Sequence, residues 1–281
     1  MTKKFLILSL VLSTLFLFGC PAPAERQTIT IKGSDTLLQV GQHWAEVYMK
    51  AHPDATIQVT GGGSGTGIAA LIDGTTDICQ ASRSMKQEEK DKLRANKNAE
   101  AVETPVALDA LAIYVNKENA VTALTLEQAG KIFLGEITDW KDVGGKPGKI
   151  VLYGRENSSG TYVYFQEHVL KGKDFPPQYQ ALPGTGGVVD AVAKDKGGIG
   201  YGGIGYAQDI KTLSIAKDKD SAPVEPSMAN VLSNTYPISR QLYWYTAGPP
   251  QGGVKQLVEW VLSPEGQKIV SEKGFYPLKG E

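Results

Sequence analysis

Three short stretches of this chain bring hydroxyl side chains and glycine together at the start of a helix. They are Gly33-Ser34-Asp35-Thr36, Gly61-Gly62-Gly63-Ser64-Gly65-Thr66-Gly67 and Asn157-Ser158-Ser159-Gly160-Thr161. The chemistry open to such a stretch is the binding of an oxyanion. A helix N-terminus leaves about four backbone N–H groups without intrahelical partners and carries about half a positive charge. Glycine lets a ligand approach the backbone closely, and Ser or Thr hydroxyls add donors. For any one stretch the alternative is that Ser, Thr or Asp merely caps its helix. The recurrence favours an anion cradle, since the second stretch alone places five glycines in seven residues.

Arg155 lies two residues ahead of the third stretch, where a guanidinium can grip an oxyanion bidentately. The alternative there is a surface ion pair with Glu156. Ser82 and Arg83, in Ala81-Ser82-Arg83-Ser84, form a fourth candidate wall or else a polar loop ahead of the next helix. Trp140, Tyr243, Trp244 and Tyr245 read as packing residues, and Cys79, in an apolar segment, as a small buried hydrophobe.

Several function classes are disfavoured. Gly198-Ile199-Gly200-Tyr201-Gly202-Gly203 satisfies G-x-G-x-x-G, but it follows a helix and runs through a strand, the wrong context for a dinucleotide site. The second glycine-rich stretch lacks the Gly-Lys-Ser/Thr of a P-loop. There is no G-x-S-x-G elbow and no base beside a nucleophile. His43, His52 and His168 are scattered, with no metal-ligand spacing. The expectation is a receptor without cofactor or metal, not an enzyme.

The N-terminus reads as an export signal, residues 1–19. Lys3 and Lys4 precede an apolar run from Phe5 to Phe18 that is too short for a membrane span. It ends in Leu17-Phe18-Gly19-Cys20, which resembles a bacterial lipobox cut before a lipid-bearing cysteine. Cleavage would leave Cys79 as the one remaining thiol, with no internal disulfide possible. It would also move the formal net charge from −1 to −3, by removing two lysines and no acid. Nucleic acid is therefore not the expected partner, and an anion must be caught by local geometry rather than by the global field.

Residues 20–27 form a short polar tether. From there strands and helices alternate, which predicts α/β layers with a mostly parallel sheet and enough length for two lobes. Strands are expected at 28–32, 56–60, 77–81, 106–116, 150–153, 199–201 and 242–246. Helices are expected at 37–51, from 68 to 73, at 86–97, 125–134, 158–170, 187–194, 254–262 and from 264 to about 273.

Over essentially all of the sequence after the signal, the chain resembles the periplasmic phosphate-binding proteins of Pst-type ABC importers. The motifs that carry the likeness are Gly33-Ser34-Asp35-Thr36, Gly63-Ser64-Gly65-Thr66-Gly67, Asp77-Ile78 through Ala81-Ser82-Arg83, Ile132-Phe133-Leu134-Gly135 through Trp140, and Arg155 through Thr161. Ile199-Gly200-Tyr201 is similar to a further family signature, and Arg155 with Ser159-Gly160-Thr161 is the most specific match. The resemblance implies a two-lobed periplasmic-binding-protein fold of type II-like architecture, with two crossing strands as hinge. Lobe one would take 28–108 and 240–281, and lobe two 109–239. It implies a monomeric, lipid-anchored extracytoplasmic receptor that binds inorganic phosphate and delivers it to a permease and ATPase complex. Another oxyanion, such as sulfate, molybdate or tungstate, is the alternative cargo.

The implied ligand set is Ser34, Asp35, Thr36, Ser64, Ser82, Arg83, Arg155, Ser159, Gly160 and Thr161, with Cys20 lipidated. One departure stands out. Many family members carry an aspartate after the serine matching Ser82, as acceptor for the proton of the bound phosphate. Here that place holds Arg83, which can only donate. Asp35 is the residue expected to take over the acceptor role.

Overall fold

Apolar spacing and strand propensity place most elements within a few residues of expectation. The computed structural model describes residues 27–278, so the expected signal, Cys20 and the tether up to residue 26 lie outside the described residues. The first part of the chain runs β1 (Gln27–Gly33), α1 (Leu38–Ala51), β2 (Ala55–Thr60), α2 (Ser64–Asp73), β3 (Ile78–Ala81), α3 (Gln87–Lys97) and β4 (Ala101–Val115). Then follow β5 (Ala123–Thr125), α4 (Leu126–Phe133), β6 (Val151–Arg155), α5 (Gly160–His168), β7 (Gln180–Leu182), α6 (Gly184–Lys194), β8 (Gly198–Gly203), β9 (Lys211–Thr212), β10 (Ser214–Ala216) and α7 (Met228–Leu232). The chain ends with β11 (Ser239–Ala247), α8 (Gly252–Val261) and α9 (Pro264–Glu272).

The main sheet has the order β2-β1-β3-β11-β4-β8-β6-β7. Its flanks are parallel: β1 pairs with β2 and β3, and β6 pairs with β7 and β8. Its centre is antiparallel, because β11 pairs with β3 and β4, and β4 with β8. The sheet is thus mixed rather than mostly parallel. The physical reason is that β4 and β11 run in opposite directions through the middle, as outgoing and returning strands of one crossover. Residues 101–110 of β4 face β11, and Leu111–Val115 face β8.

Two apolar cores lie on either side of that change of partner. One gathers Ile29, Ile31, Trp44, Ile57, Val106 and Trp244 with Leu257, Val261, Ile269 and Val270, so α8 and α9 return to pack on the first lobe. Within it Trp44 and Trp244 meet edge to face at 5.3 Å, and Trp44 Nε1 donates to the Gly266 carbonyl at 2.8 Å. The other core gathers Ile113, Phe133, Trp140, Phe165, Tyr201, Leu213, Ile215 and Tyr236. The two cores are connected through β4 and β11, with Ile204 and Tyr206 also packed against the first. The G-x-G-x-x-G segment is wholly β8 strand, buried between β4 and β6.

Candidate functional site

The three hydroxyl-rich stretches converge where the lobes meet. Ser34-Asp35-Thr36 lies between β1 and α1, and Ser64 opens α2. Ser159 is the N-cap of α5, and Gly160 and Thr161 are its first two residues. Helix α2 starts four residues before its expected start because Gly62 and Gly63, at φ of 108° and 89°, let the chain turn straight into it. That turn brings the loop against the other lobe, where the Gly65 N–H donates to the Ser158 carbonyl at 2.9 Å.

The hydroxyls form a continuous chain across the interface. Thr36 Oγ1 lies 2.9 Å from Thr161 Oγ1, Thr161 Oγ1 lies 3.4 Å from Ser82 Oγ, and Ser82 Oγ lies 3.3 Å from Ser64 Oγ. The Ser82 N–H donates to Ser64 Oγ at 3.0 Å. Ser34, Thr36, Ser64, Ser82, Ser159 and Thr161 are all buried. Ser159 Oγ accepts the Thr161 and Tyr162 N–H groups at 3.2 and 3.4 Å, which is the capping role weighed as its alternative.

Arg155 ends β6 with a side chain only 1% exposed. One terminal nitrogen donates to Asp35 Oδ2 at 2.6 Å and to Glu156 Oε1 at 3.1 Å, and the other donates to Thr185 Oγ1 at 3.1 Å. Burial opposes its charge, but the Glu156 and Asp35 carboxylates more than offset this and hold the proton more tightly than usual. Asp35 Oδ1 accepts the Gly62 N–H at 2.9 Å, and the Asp35 carbonyl accepts the Tyr206 hydroxyl at 2.6 Å. The aspartate of one lobe is therefore locked to the arginine of the other. Among the described residues, Ser34 Oγ, Arg83 Nε and Arg155 Nε are buried without a hydrogen-bond partner.

Arg83 departs from expectation. Its terminal nitrogens bind Glu89 in parallel at 2.7 and 2.8 Å, and one also donates to the Ser84 carbonyl at 2.9 Å. Glu89, in the first turn of α3, reaches back to the Lys86 N–H at 2.8 Å, so the arginine is held on a helix start rather than offered to the cleft. In this structure Arg83 braces the Ser82 loop through its terminal nitrogens. Burial raises the Glu89 pKa, but the hydrogen bonds from Arg83 and the Lys86 N–H, with the Arg83 charge, bring it below the ordinary 4.5. Replacing Arg83 with alanine should lower the unfolding free energy by about 2 kcal/mol and leave oxyanion affinity within about threefold. Because Glu89 is depressed in the folded state, this difference in stability is full above its unfolded pKa and fades as pH falls below about 4.5. Thermal unfolding across that range, with anion titrations at neutral pH, checks both halves.

Sequence reasoning missed three polar residues of the site. Thr185 sits in Gly184-Thr185-Gly186-Gly187, a fourth hydroxyl and glycine helix start that was legible but masked by starting the helix at Gly187. Asp109 and Arg240 are cross-strand partners on β4 and β11, 131 residues apart, and no local pattern announces them.

What the arrangement can do is close on a small anion, with hydroxyls and an arginine as donors and Asp35 as a carboxylate acceptor. No cluster of metal-binding side chains occurs among the described residues, and no helix among them is long and apolar enough to cross a membrane.

Comparison with known proteins agrees with that geometry. The family profile of the PBP superfamily domain matches residues 21–265. The phosphate-binding protein PstS of Pseudomonas aeruginosa is 38% identical over 265 residues, covering 88% of this chain and 81% of its own length. PstS of Bacillus subtilis is 33% identical over 252 residues, covering 89% and 81%. Among solved structures, a putative phosphate ABC transporter substrate-binding protein from Clostridium perfringens, with bound phosphate, superposes with a TM-score of 0.81 at 31% identity. That alignment covers 90% of this chain and 100% of the other. An ABC-type phosphate transport receptor from Vibrio cholerae gives a TM-score of 0.71 at 30% identity, covering 88% and 99%. The chain belongs to the PBP superfamily, within the Pst-type substrate-binding proteins, a family of transporter receptors rather than enzymes.

Proposed function

We propose that this chain binds inorganic phosphate between its lobes outside the cytoplasm and delivers it to the permease and ATPase of an ABC importer. The observation that carries the reading is the cross-lobe pair of Arg155 with Asp35, set among buried hydroxyls from both lobes. Donors alone would suit any tetrahedral oxyanion. A carboxylate among them suits one that still carries a proton, because sulfate would bring lone pairs against it. The proposed ligand set is Ser34, Asp35, Thr36, Ser64, Ser82, Arg155, Ser159, Gly160 and Thr161, with Arg83 set apart because its terminal nitrogens hold Glu89. Lobe one comprises 28–108 and 240–281, lobe two 109–239, and closure about β4 and β11 delivers the cargo. Each wall of the cleft comes from the same chain, so a monomer suffices.

Calorimetry with phosphate, sulfate, molybdate and tungstate tests the cargo. Phosphate should bind one to one and tightest, and tighter binding of any other anion overturns the assignment. Replacing Asp35 with asparagine should weaken phosphate about 10- to 100-fold and narrow the gap to sulfate. The ratio is the informative quantity, because both Asp35 oxygens already accept hydrogen bonds and an amide would also set a donor against Gly62 or Arg155. An unchanged ratio removes Asp35 as the discriminator.

We also propose that residues 1–19 are removed on export and that Cys20 then carries a lipid. In that case replacing Cys20 with serine releases the protein from the membrane fraction. Continued sedimentation with membranes would reject the anchor.

A further inference from the structure

A buried cation outside the proposed ligand set is Arg240, at the lobe-two end of β11. It lies directly opposite Asp109 on β4, so the two crossing strands are joined here by an ion pair as well as by backbone pairing. Arg240 Nε and one terminal nitrogen both donate to Asp109 Oδ2, at 3.0 and 2.8 Å. The Asp109 side chain is fully buried, and its other oxygen accepts the Ile204 N–H at 2.9 Å. The guanidinium is thus fixed in position and orientation. Its remaining bonds go to the walls of the cleft. One terminal nitrogen donates to the Ser82 carbonyl at 3.0 Å, and the other donates to Thr161 Oγ1 at 3.1 Å. It also sits 5.3 Å from the Tyr164 ring, one turn further along α5.

We propose that Arg240 is a closure latch, a positioning residue that ties both lobes to the hinge and sets the residence time of the bound anion. This rests on the phosphate-receptor reading and deepens it. Ser82 belongs to the first lobe and Thr161 to the second, while Arg240 stands on a strand that crosses between them. Whichever lobe this part of β11 follows as the cleft opens, one of the two bonds must break. The bond lost is made by a charged donor in a site closed to water, where such bonds are strongest. The same contact orients the ligand site. Thr161 Oγ1 accepts from Arg240, so its own single proton is directed to the other side, towards the cleft hydroxyls and any anion among them. Arg240 thus makes Thr161 a donor without touching the ligand, and Asp109 offsets its charge.

The latch acts after closure, so it should control escape more than capture. The test compares the full chain with Arg240→Gln, Arg240→Lys and the double variant Arg240→Gln/Asp109→Asn, which removes the carboxylate that a single change would leave buried and unpaired. Stopped-flow phosphate release, phosphate association and thermal unfolding of the ligand-free protein are measured on each. Release should accelerate about 10- to 100-fold in all three variants, with association changed less than about threefold. Lysine keeps the charge and should recover stability lost in Arg240→Gln. A single ammonium cannot fork to Ser82 and Thr161 while holding Asp109, so release should stay fast in Arg240→Lys. Slow release in Arg240→Lys or in the double variant overturns the latch and leaves a purely structural ion pair. A change confined to association overturns it too. Failure of the unaltered chain to bind phosphate would instead strike the cargo assignment.

Discussion

Replacing Arg155 with methionine should weaken phosphate binding by roughly two to three orders of magnitude, the cost of truncating one partner of a buried, hydrogen-bonded charge pair. The lost cation is only part of the effect. Arg155 faces two carboxylates, Asp35 at 2.6 Å and Glu156 at 3.1 Å, and its removal leaves both of them without their shared cation beside an anion site. It also leaves Thr185 Oγ1 without the donor that now holds it. The double variant Arg155→Met/Asp35→Asn separates these contributions. If residual repulsion from Asp35 is a large share, the double variant should bind phosphate better than Arg155→Met alone, even though Asp35→Asn weakens the parent protein. Arg155→Lys should recover less than half of the lost free energy, because an ammonium cannot reach Asp35, Glu156 and Thr185 with the geometry of a planar fork. Calorimetric titrations of the parent and these four variants, Asp35→Asn included, decide it. Binding within tenfold of the parent by Arg155→Met would remove Arg155 from the ligand set.

Much of this site was written locally. The hydroxyl and glycine clusters at Ser34–Thr36, Ser64 and Ser159–Thr161 all sit where a strand gives way to a helix, and periodicity is enough to find such junctions. What escaped was whatever depends on partners distant in sequence. Strand β4 runs back to Ala101, five residues beyond its expected start, because β11 pairs along it and a register shift after Leu242 accommodates Pro105. The antiparallel centre of the sheet follows from the same crossover, which no alternation of strand and helix encodes. Arg83 is hard to read for the opposite reason. Its partner Glu89 is only six residues ahead, but an arginine beside a candidate cleft and an arginine bracing a helix start look alike until the side-chain direction is known. Arg155 with Asp35 and Arg240 with Asp109 span 120 and 131 residues, distances at which composition carries no information about contact.

Gly160 offers the sharpest separation of folding from function, because it lies where the two lobes meet. A methyl group built there would lie 2.3 Å from Ser64 Oγ and 2.8 Å from Ser82 Oγ, both on the opposite lobe. Ser64 cannot simply rotate away without giving up the Ser82 N–H it accepts at 3.0 Å. The backbone at Gly160 lies outside the left-handed region, so alanine brings no conformational strain of its own. At the start of α5 alanine is also the better helix former, by up to about 1 kcal/mol in a helix interior. Gly160→Ala should therefore unfold at or slightly above the parent temperature without ligand, yet bind phosphate about 10- to 100-fold more weakly, the usual cost of overpacking a closed interface. Small-angle scattering should show little of the compaction that phosphate produces in the parent. The steric clash exists only between lobes, so the open receptor has no reason to be perturbed. Equal losses of stability and affinity would mean that the methyl group damages the lobe itself, and undiminished affinity would mean that the lobes do not close against Gly160.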